Sequence, residues 1–265
     1  MRCIFCKADS FDSRSVEHII PESLWNTKQI LQKGVVCDKC NNYFARNVGK
    51  PFLDSQALRH LRFHEAIPNK RGRIPEIDGL ILPGNVVRVQ RHTEGPYVAS
   101  VAVPPVAFDE IISGKSSTLI LPIGAEPPAT QIVSRFLAKV AIEALAQRLL
   151  NSPGGLDYVV DEVQFDPIRN FARVGHPKEW PHHSRRIYDI NHRWNDARGD
   201  DVQVVHEYDF LYTEQGELYL VLALYGQELA INIGGPEVDG YLAWLEKNDG
   251  ASPLYSGKNA PPLAE

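Results

Sequence analysis

CDKCNNYFARNVGK, residues 37–50, is the stretch that decides how the N-terminal part of this chain folds. Two cysteines three residues apart lead into a pattern that reads as a helix. Tyr43, Phe44 and Val48 are spaced for a buried face, and Gly49 with Pro51 supplies a stop. Asn41 lies four residues after Cys37, so a helix holds it one turn above a thiol. Working outward, the other two cysteines are Cys3 and Cys6, again C-x-x-C, and no cysteine follows residue 40. In a reducing compartment, two such pairs supply the four thiolates of a tetrahedral zinc rather than disulfides.

Residues 7–36, between the pairs, exceed the spacing of a simple zinc ribbon, so further structure is built inside the clip. SRSVEHIIP reads as a short strand ended by Pro21, and ILQKGVVC as a second strand reaching the second pair. Ile19 and Ile20 are strand residues that pack under the helix. Beyond it, SQALRHLRFHEAI reads as another helix capped by Asp54. The basic, proline-bounded PNKRGRIP, residues 68–75, marks a domain boundary. The expected fold is α+β: a small zinc-stapled ββα head over 1–74, then a larger mixed, β-rich α+β domain over 75–265. In the second part GLILPG, NVVRVQRH, YVASVAV, SSTLILPIG, DYVVDEVQF, HEYDFLYT, ELYLVLALYG and ELAINIGG read as strands. One core helix spans Gln131 to Leu150, and an amphipathic segment runs after Pro236 through Tyr241, Trp244 and Leu245.

The net charge of −5 conceals an asymmetry. Residues 1–74 hold 13 basic and 7 acidic side chains, which leaves 15 basic and 26 acidic for the rest. A basic head on an acidic body suits a polyanion partner for the head. No run approaches the roughly 18 apolar residues of a membrane span, and MRCIFCK lacks the apolar core of a signal peptide, so a cytoplasmic protein without membrane association is expected.

In order, the motifs are C-x-x-C, then E-H-I-I-P, then C-x-x-C-N at a helix start. This arrangement resembles the HNH endonuclease family in its zinc-bound ββα-metal form, over about the first fifty to seventy residues. The chemistry is sensible on its own terms. Phosphodiester hydrolysis needs an activated water, a Lewis acid and help for the leaving oxygen. His18 is the candidate general base, since a histidine side chain can take up a proton near neutral pH. A hard ion such as Mg²⁺ or Mn²⁺ is held by few protein ligands. The resemblance implies structural zinc on Cys3, Cys6, Cys37 and Cys40, with Glu17 and Asn41 on the catalytic ion. Adjacent strand residues point to opposite faces, so Glu17 and His18 share one site only if the strand is distorted. Otherwise Glu17 orients His18 or Arg14. The family's middle asparagine has no clear counterpart; Asn26 is the only asparagine between the pairs.

Arg46, Lys50, Arg59, Arg62, Lys70, Arg71 and Arg73 are candidate phosphate contacts. His60 and His64, at i, i+4, have zinc-compatible spacing but no third ligand, and read better as part of an exposed basic helix. Residues 169–198 form a basic, His- and Trp-rich island in the acidic body. Trp180 and Trp194 there either stack on bases or are buried in an ordered loop, and His182 and His183 lack companion ligands. The reading is a metal-dependent DNA endonuclease of restriction or antiphage type. A homodimer is expected for cutting both strands, and residues 75–265 serve recognition, sensing or oligomerisation. The alternatives are a non-catalytic zinc-dependent DNA-binding protein and an effector whose C-terminal domain responds to a small-molecule or protein activator.

Overall fold

The structure is a computed structural model that describes residues 1–69, 71–93, 98–123, 127–195 and 198–261. Two compact units emerge from its packing. One comprises residues 1–19, 29–49 and 129–265; the other comprises 20–28 and 50–128.

The first unit opens with the Cys3–Cys6 turn, closed by the Lys7 amide on the Cys3 carbonyl at 2.9 Å. Two minimal strands follow, β1 (Glu17–His18) and β2 (Ile30–Leu31), paired antiparallel with Glu17 opposite Leu31 and His18 opposite Ile30. Both are far shorter than the apolar runs around them, because the flanking segments are held by side chains and turns rather than by a ladder. Helix α1 (Asp38–Phe44) starts on Cys37 as its N-cap. It does not stop at Gly49 as the sequence predicts. Residues Ala45–Gly49 form a π-helical turn and the chain stays helical into α2 (Lys50–Leu53). Proline in an α-turn loses a bond and clashes with the carbonyl four residues back; the wider π-turn before Pro51 relaxes that spacing.

In the second unit, α2 leads to α3 (Gln56–His64), whose N-cap is Ser55 rather than Asp54. Strands β3 (Ile77–Ile81), β4 (Asn85–Arg91) and β5 (Ala99–Ala102), helix α4 (Pro105–Ile112) and strand β6 (Leu119–Ile120) complete it. The sheet is antiparallel in the order β5-β4-β3-β6. Alternation puts Ile77, Ile81, Val87 and Val89 on one face, where they meet Phe63 and Ile74. Helix α4, begun by Pro105 at its first position, is absent from the sequence reading.

The chain then returns to the first unit through α5 (Thr130–Leu149). Apolar side chains occupy every face of this helix, and Phe136 through Ala146 are all buried. Helices α6 (Gly155–Asp161) and α7 (Asp166–Val174) pack on it. Four strands then build an antiparallel sheet in the order β10-β11-β12-β7: β7 (His183–Arg186), β10 (His206–Tyr212), β11 (Leu218–Leu224) and β12 (Gln227–Asn232). The short pair β8 (Trp194–Asn195) and β9 (Asp201–Val202) stands apart from it in pairing. Tyr219, Val221 and Ala223 of central β11 pack with Tyr241 and Leu245 of α8 (Asp239–Lys247). The last element is α9 (Tyr255–Lys258).

DYVVDEVQF is therefore helical, not a strand. Its valines favour β structure only weakly, and packing overrides them. Val159, Val160 and Phe165 are buried while Tyr158 and Val163 are exposed, a helical split. Gly155 permits the corner, since a Cβ there would lie 2.2 Å from the Leu149 carbonyl oxygen. The fold class is α+β as the sequence predicts. Among the described residues, no helix is long and apolar enough to cross a membrane.

Candidate active site and metal centre

The spacing of the cysteines becomes a cluster because the Cys3–Cys6 turn packs against α1, with the Phe5 ring 4.3 Å from that of Phe44 at the end of the helix. The four sulfurs lie within 4.8 Å of one another, and Cys6 Sγ is 3.6 Å from Cys37 Sγ. Four thiolates at about 2.3 Å from one tetrahedral ion stand about 3.8 Å apart, so the set fits zinc. The backbone is arranged for it: the Cys37 amide donates to Cys3 Sγ and the Cys40 amide to Cys37 Sγ, both at 3.4 Å. A hydrogen bond from Cys40, aided by backbone amides, lowers the Cys3 thiol to about 4, whereas Cys40 is driven far up by that same bond and by burial. The cluster suits a structural zinc, and it is the one group of three or more His, Cys, Asp or Glu side chains at ligand spacing among the described residues.

The same helix positions the Glu-His segment. Asp38, in the first turn of α1, accepts from the Arg14 and Ser15 amides at 3.1 and 2.9 Å and from the Ser15 hydroxyl at 2.5 Å. These donors, the hydroxyl first, hold its carboxyl below the usual range. One turn later, Asn41 Nδ2 donates to the Val16 carbonyl at 2.9 Å. The residues immediately before Glu17 are thus pinned twice to a helix that is itself anchored at the cysteines. An amide donating through nitrogen keeps its oxygen as an acceptor. His18, next along β1, is half-buried.

Glu17 is occupied. Its Oε1 lies 2.8 Å from Nζ of Lys139, in the middle of α5, and the pair is almost fully buried. Lys139 also reaches Glu143 Oε2 at 2.7 Å and the carbonyl of His18 at 3.2 Å. Burial pulls the ammonium down, but the two carboxylates outweigh it and raise it to about 12. Glu143, with no exposed surface, is pushed well above the carboxylate range by burial, against the pull of Lys139. From the sequence Asp38 has no assigned role, and Lys139 and Glu143 read only as polar positions of the core helix. The signal for Lys139 was a Lys and a Glu at i, i+4 inside FLAKVAIEALA, a helix segment with no polar face to carry them.

The remaining predicted residues scatter. Asn26 is buried and holds its own loop, donating to the Ile20 carbonyl at 2.6 Å and accepting from the Lys28 amide at 3.1 Å. In the first unit Arg46 is exposed. In the second, Arg71 and Arg73 are exposed, Lys50 pairs with Asp54, and Arg59 donates to the Glu76 carbonyl. Arg62 and His60 are buried, so α3 is not an exposed basic helix; two of its polar side chains serve the interior. His64 Nε2 bonds the Pro122 carbonyl. Lys70 lies outside the described residues. Trp180 is a core residue, not a stacking platform: it is 2 % exposed, packs against Phe171 and donates to the Asn232 carbonyl. Trp194 is half-buried, edge-on to His192. His182 meets Ser134, and burial lowers its pKa.

No curated protein and no solved structure matches this chain. Residues 3–57 of the 265, which carry both cysteine pairs, Glu17, His18 and Asn41, match the family model described as HNH endonuclease.

Proposed function

We propose that the chain is a metal-dependent endonuclease that hydrolyses phosphodiester bonds in DNA, with residues 1–74 as its nuclease module. The observation that carries this reading is the anchoring of the His18 segment on the zinc-cluster helix through Asn41 and Asp38. A rigid pedestal of this kind is what a general base needs, since small misplacements of a reacting group cost rate steeply. His18 takes the proton from the attacking water. Asn41, with its nitrogen committed to Val16, offers an amide oxygen toward a hard cation. A Mg²⁺ or Mn²⁺ ion bound there supplies Lewis acidity on the scissile phosphate and stabilises the leaving oxygen. Few protein donors are present, which suits an ion that keeps water and phosphate oxygens in its shell.

Arg46, Arg71 and Arg73, exposed on the basic head, are proposed phosphate contacts, with Lys50, Arg59 and Lys70 as further cations of the same stretch. Residues 75–265 are proposed to recognise the target, sense an activator or pair two copies, as a defence nuclease requires. A second reading, a zinc-dependent DNA-binding protein without catalysis, is favoured by one observation: the carboxylate expected on the catalytic ion is already paired with Lys139. Nicking of supercoiled plasmid by the full chain with Mg²⁺ or Mn²⁺ separates the two. Activity in wild type that falls on the order of 100-fold or more in His18→Ala supports the nuclease. Equal activity in both, or none in either, overturns it.

A further inference from the structure

Lys139 lies outside the stretch matched to the HNH family, yet its ammonium is committed to β1. Nζ stands 2.8 Å from Glu17 Oε1, 3.2 Å from the His18 carbonyl and 3.5 Å from the Ile19 carbonyl, with Glu143 Oε2 at 2.7 Å behind it. One buried cation therefore grips both residues of β1 and Ile19 after them. Enclosing a lysine with two carboxylates is expensive in desolvation, and well-packed apolar side chains often give equal or better stability. Stability alone does not account for the cluster. What it provides is geometry, because three N–H donors shared among two carboxylates and two carbonyls tie β1 to one place on α5. Glu17 is turned toward α5, so alternation along β1 turns His18 to the other face. The strand distortion that would bring both side chains to one ion is opposed by this pairing.

We propose that Lys139 is a positioning residue of the nuclease site: through Glu17 and the carbonyls of His18 and Ile19 it sets the orientation of His18, and Glu17 in this chain is the anchor of β1 rather than a ligand of the catalytic ion. The proposal rests on the HNH reading above, and its test separates the two.

The full-length protein is compared with Lys139→Met, Glu17→Gln and the double variant, following plasmid nicking as a function of Mn²⁺ and amide hydrogen exchange across residues 15–20. Each single variant is expected to lose on the order of 10- to 100-fold in maximal rate, with the half-saturating Mn²⁺ moved by less than about twofold. The double variant is expected to be no slower than the slower single, since both remove one interaction. A Glu17→Gln variant that raises half-saturating Mn²⁺ about tenfold or more makes Glu17 a metal ligand and overturns the proposal. So does a folded Lys139→Met that melts earlier but nicks at the wild-type maximal rate. Should Lys139→Met not fold, Glu17→Gln decides alone: a lower maximal rate at unchanged Mn²⁺ dependence supports the anchor, and no change in either overturns it. If wild type itself does not nick, the nuclease reading falls, and exchange still judges the anchor. Faster exchange at 15–20 with 37–44 unaltered supports it; unaltered exchange at 15–20 overturns it.

Discussion

Two clusters hold the Glu-His segment in place, and they solve opposite charge problems. At the cysteine cluster, four sulfurs converge within 4.8 Å, a set that suits a cation taken from solution. At the Lys139 cluster, the cation is built into the chain and is shared by two carboxylates. The first can take its cation from solution and lose it there; the second carries its cation on a side chain of its own. The structure around each follows suit. The cysteines come from two short local turns whose backbone amides face the sulfurs, whereas Glu17, Lys139 and Glu143 meet across more than a hundred residues of sequence, in an apolar interior.

The sharpest way to break this symmetry is to remove the cations in turn. Chelation of zinc, or Cys37→Ser, is expected to have the largest effect. Ligation at a structural site of this type is worth about 10–16 kcal/mol of apparent binding free energy. Near-complete loss of the cooperative melt of the first unit, reversed by added Zn²⁺ after chelation, is the outcome to look for. Retention of that melt without metal would show that the cluster is not a folding element. Next in size, Lys139→Met leaves two buried carboxylates without a counter-charge and is expected to cost about 3–5 kcal/mol in chemical denaturation. No added metal should restore it. Combining it with Glu17→Gln and Glu143→Gln removes the buried charge altogether and should recover most of the loss; a triple variant as unstable as the single would refute the charge account.

A smaller loss is expected from Asp38→Ala, which releases the Arg14 and Ser15 amides but leaves both cations in place. It should lower Tm by less than Lys139→Met, and faster amide exchange should be confined to residues 14–16. The smallest effect serves as a control away from both clusters. Burial beside Ser134 lowers the His182 pKa below its ordinary 6.5. A histidine depressed in the folded state binds fewer protons there than in the unfolded chain, so its stability contribution is present above pH 6.5 and is lost as pH falls. Melting curves from pH 7.5 downward should show a shallower acid slope in His182→Asn than in wild type, and equal slopes would refute this.

The difference between the clusters also explains what the sequence discloses. Cys3, Cys6, Cys37 and Cys40 are legible because local spacing alone brings each pair together. His18 and Asn41 are legible through their order between and after those pairs. The Lys139 contact is not, because nothing near Glu17 in sequence points to residue 139, and a lysine in a helix is usually a solvent residue. Only the apolar surroundings of Lys139 and Glu143 on α5 carry a hint. In the rest of the chain, β10, β11 and β12 follow from apolar runs with turn residues between them, as Gly226 does at φ +76°. Helix α6 was hidden by valines whose β preference yields to packing. Arg62 differs from its expected place for a related reason, since its residue type suggests a surface role and its neighbours place it inside, whereas Trp180 takes the buried one of its two readings.

The Lys139 contact has a consequence in time as well as in space. Lys139 lies 121 residues after His18, whose carbonyl it holds. At a synthesis rate of about 5–20 residues per second, a nascent chain carries its cysteine cluster and histidine for roughly 6 to 24 s before the residue that fixes β1 has been made. On the ribosome the cysteines, His18 and the α1 contacts of residues 14–16 are therefore all synthesised before Lys139, and the buried ion cluster can form only when the chain is more than half complete.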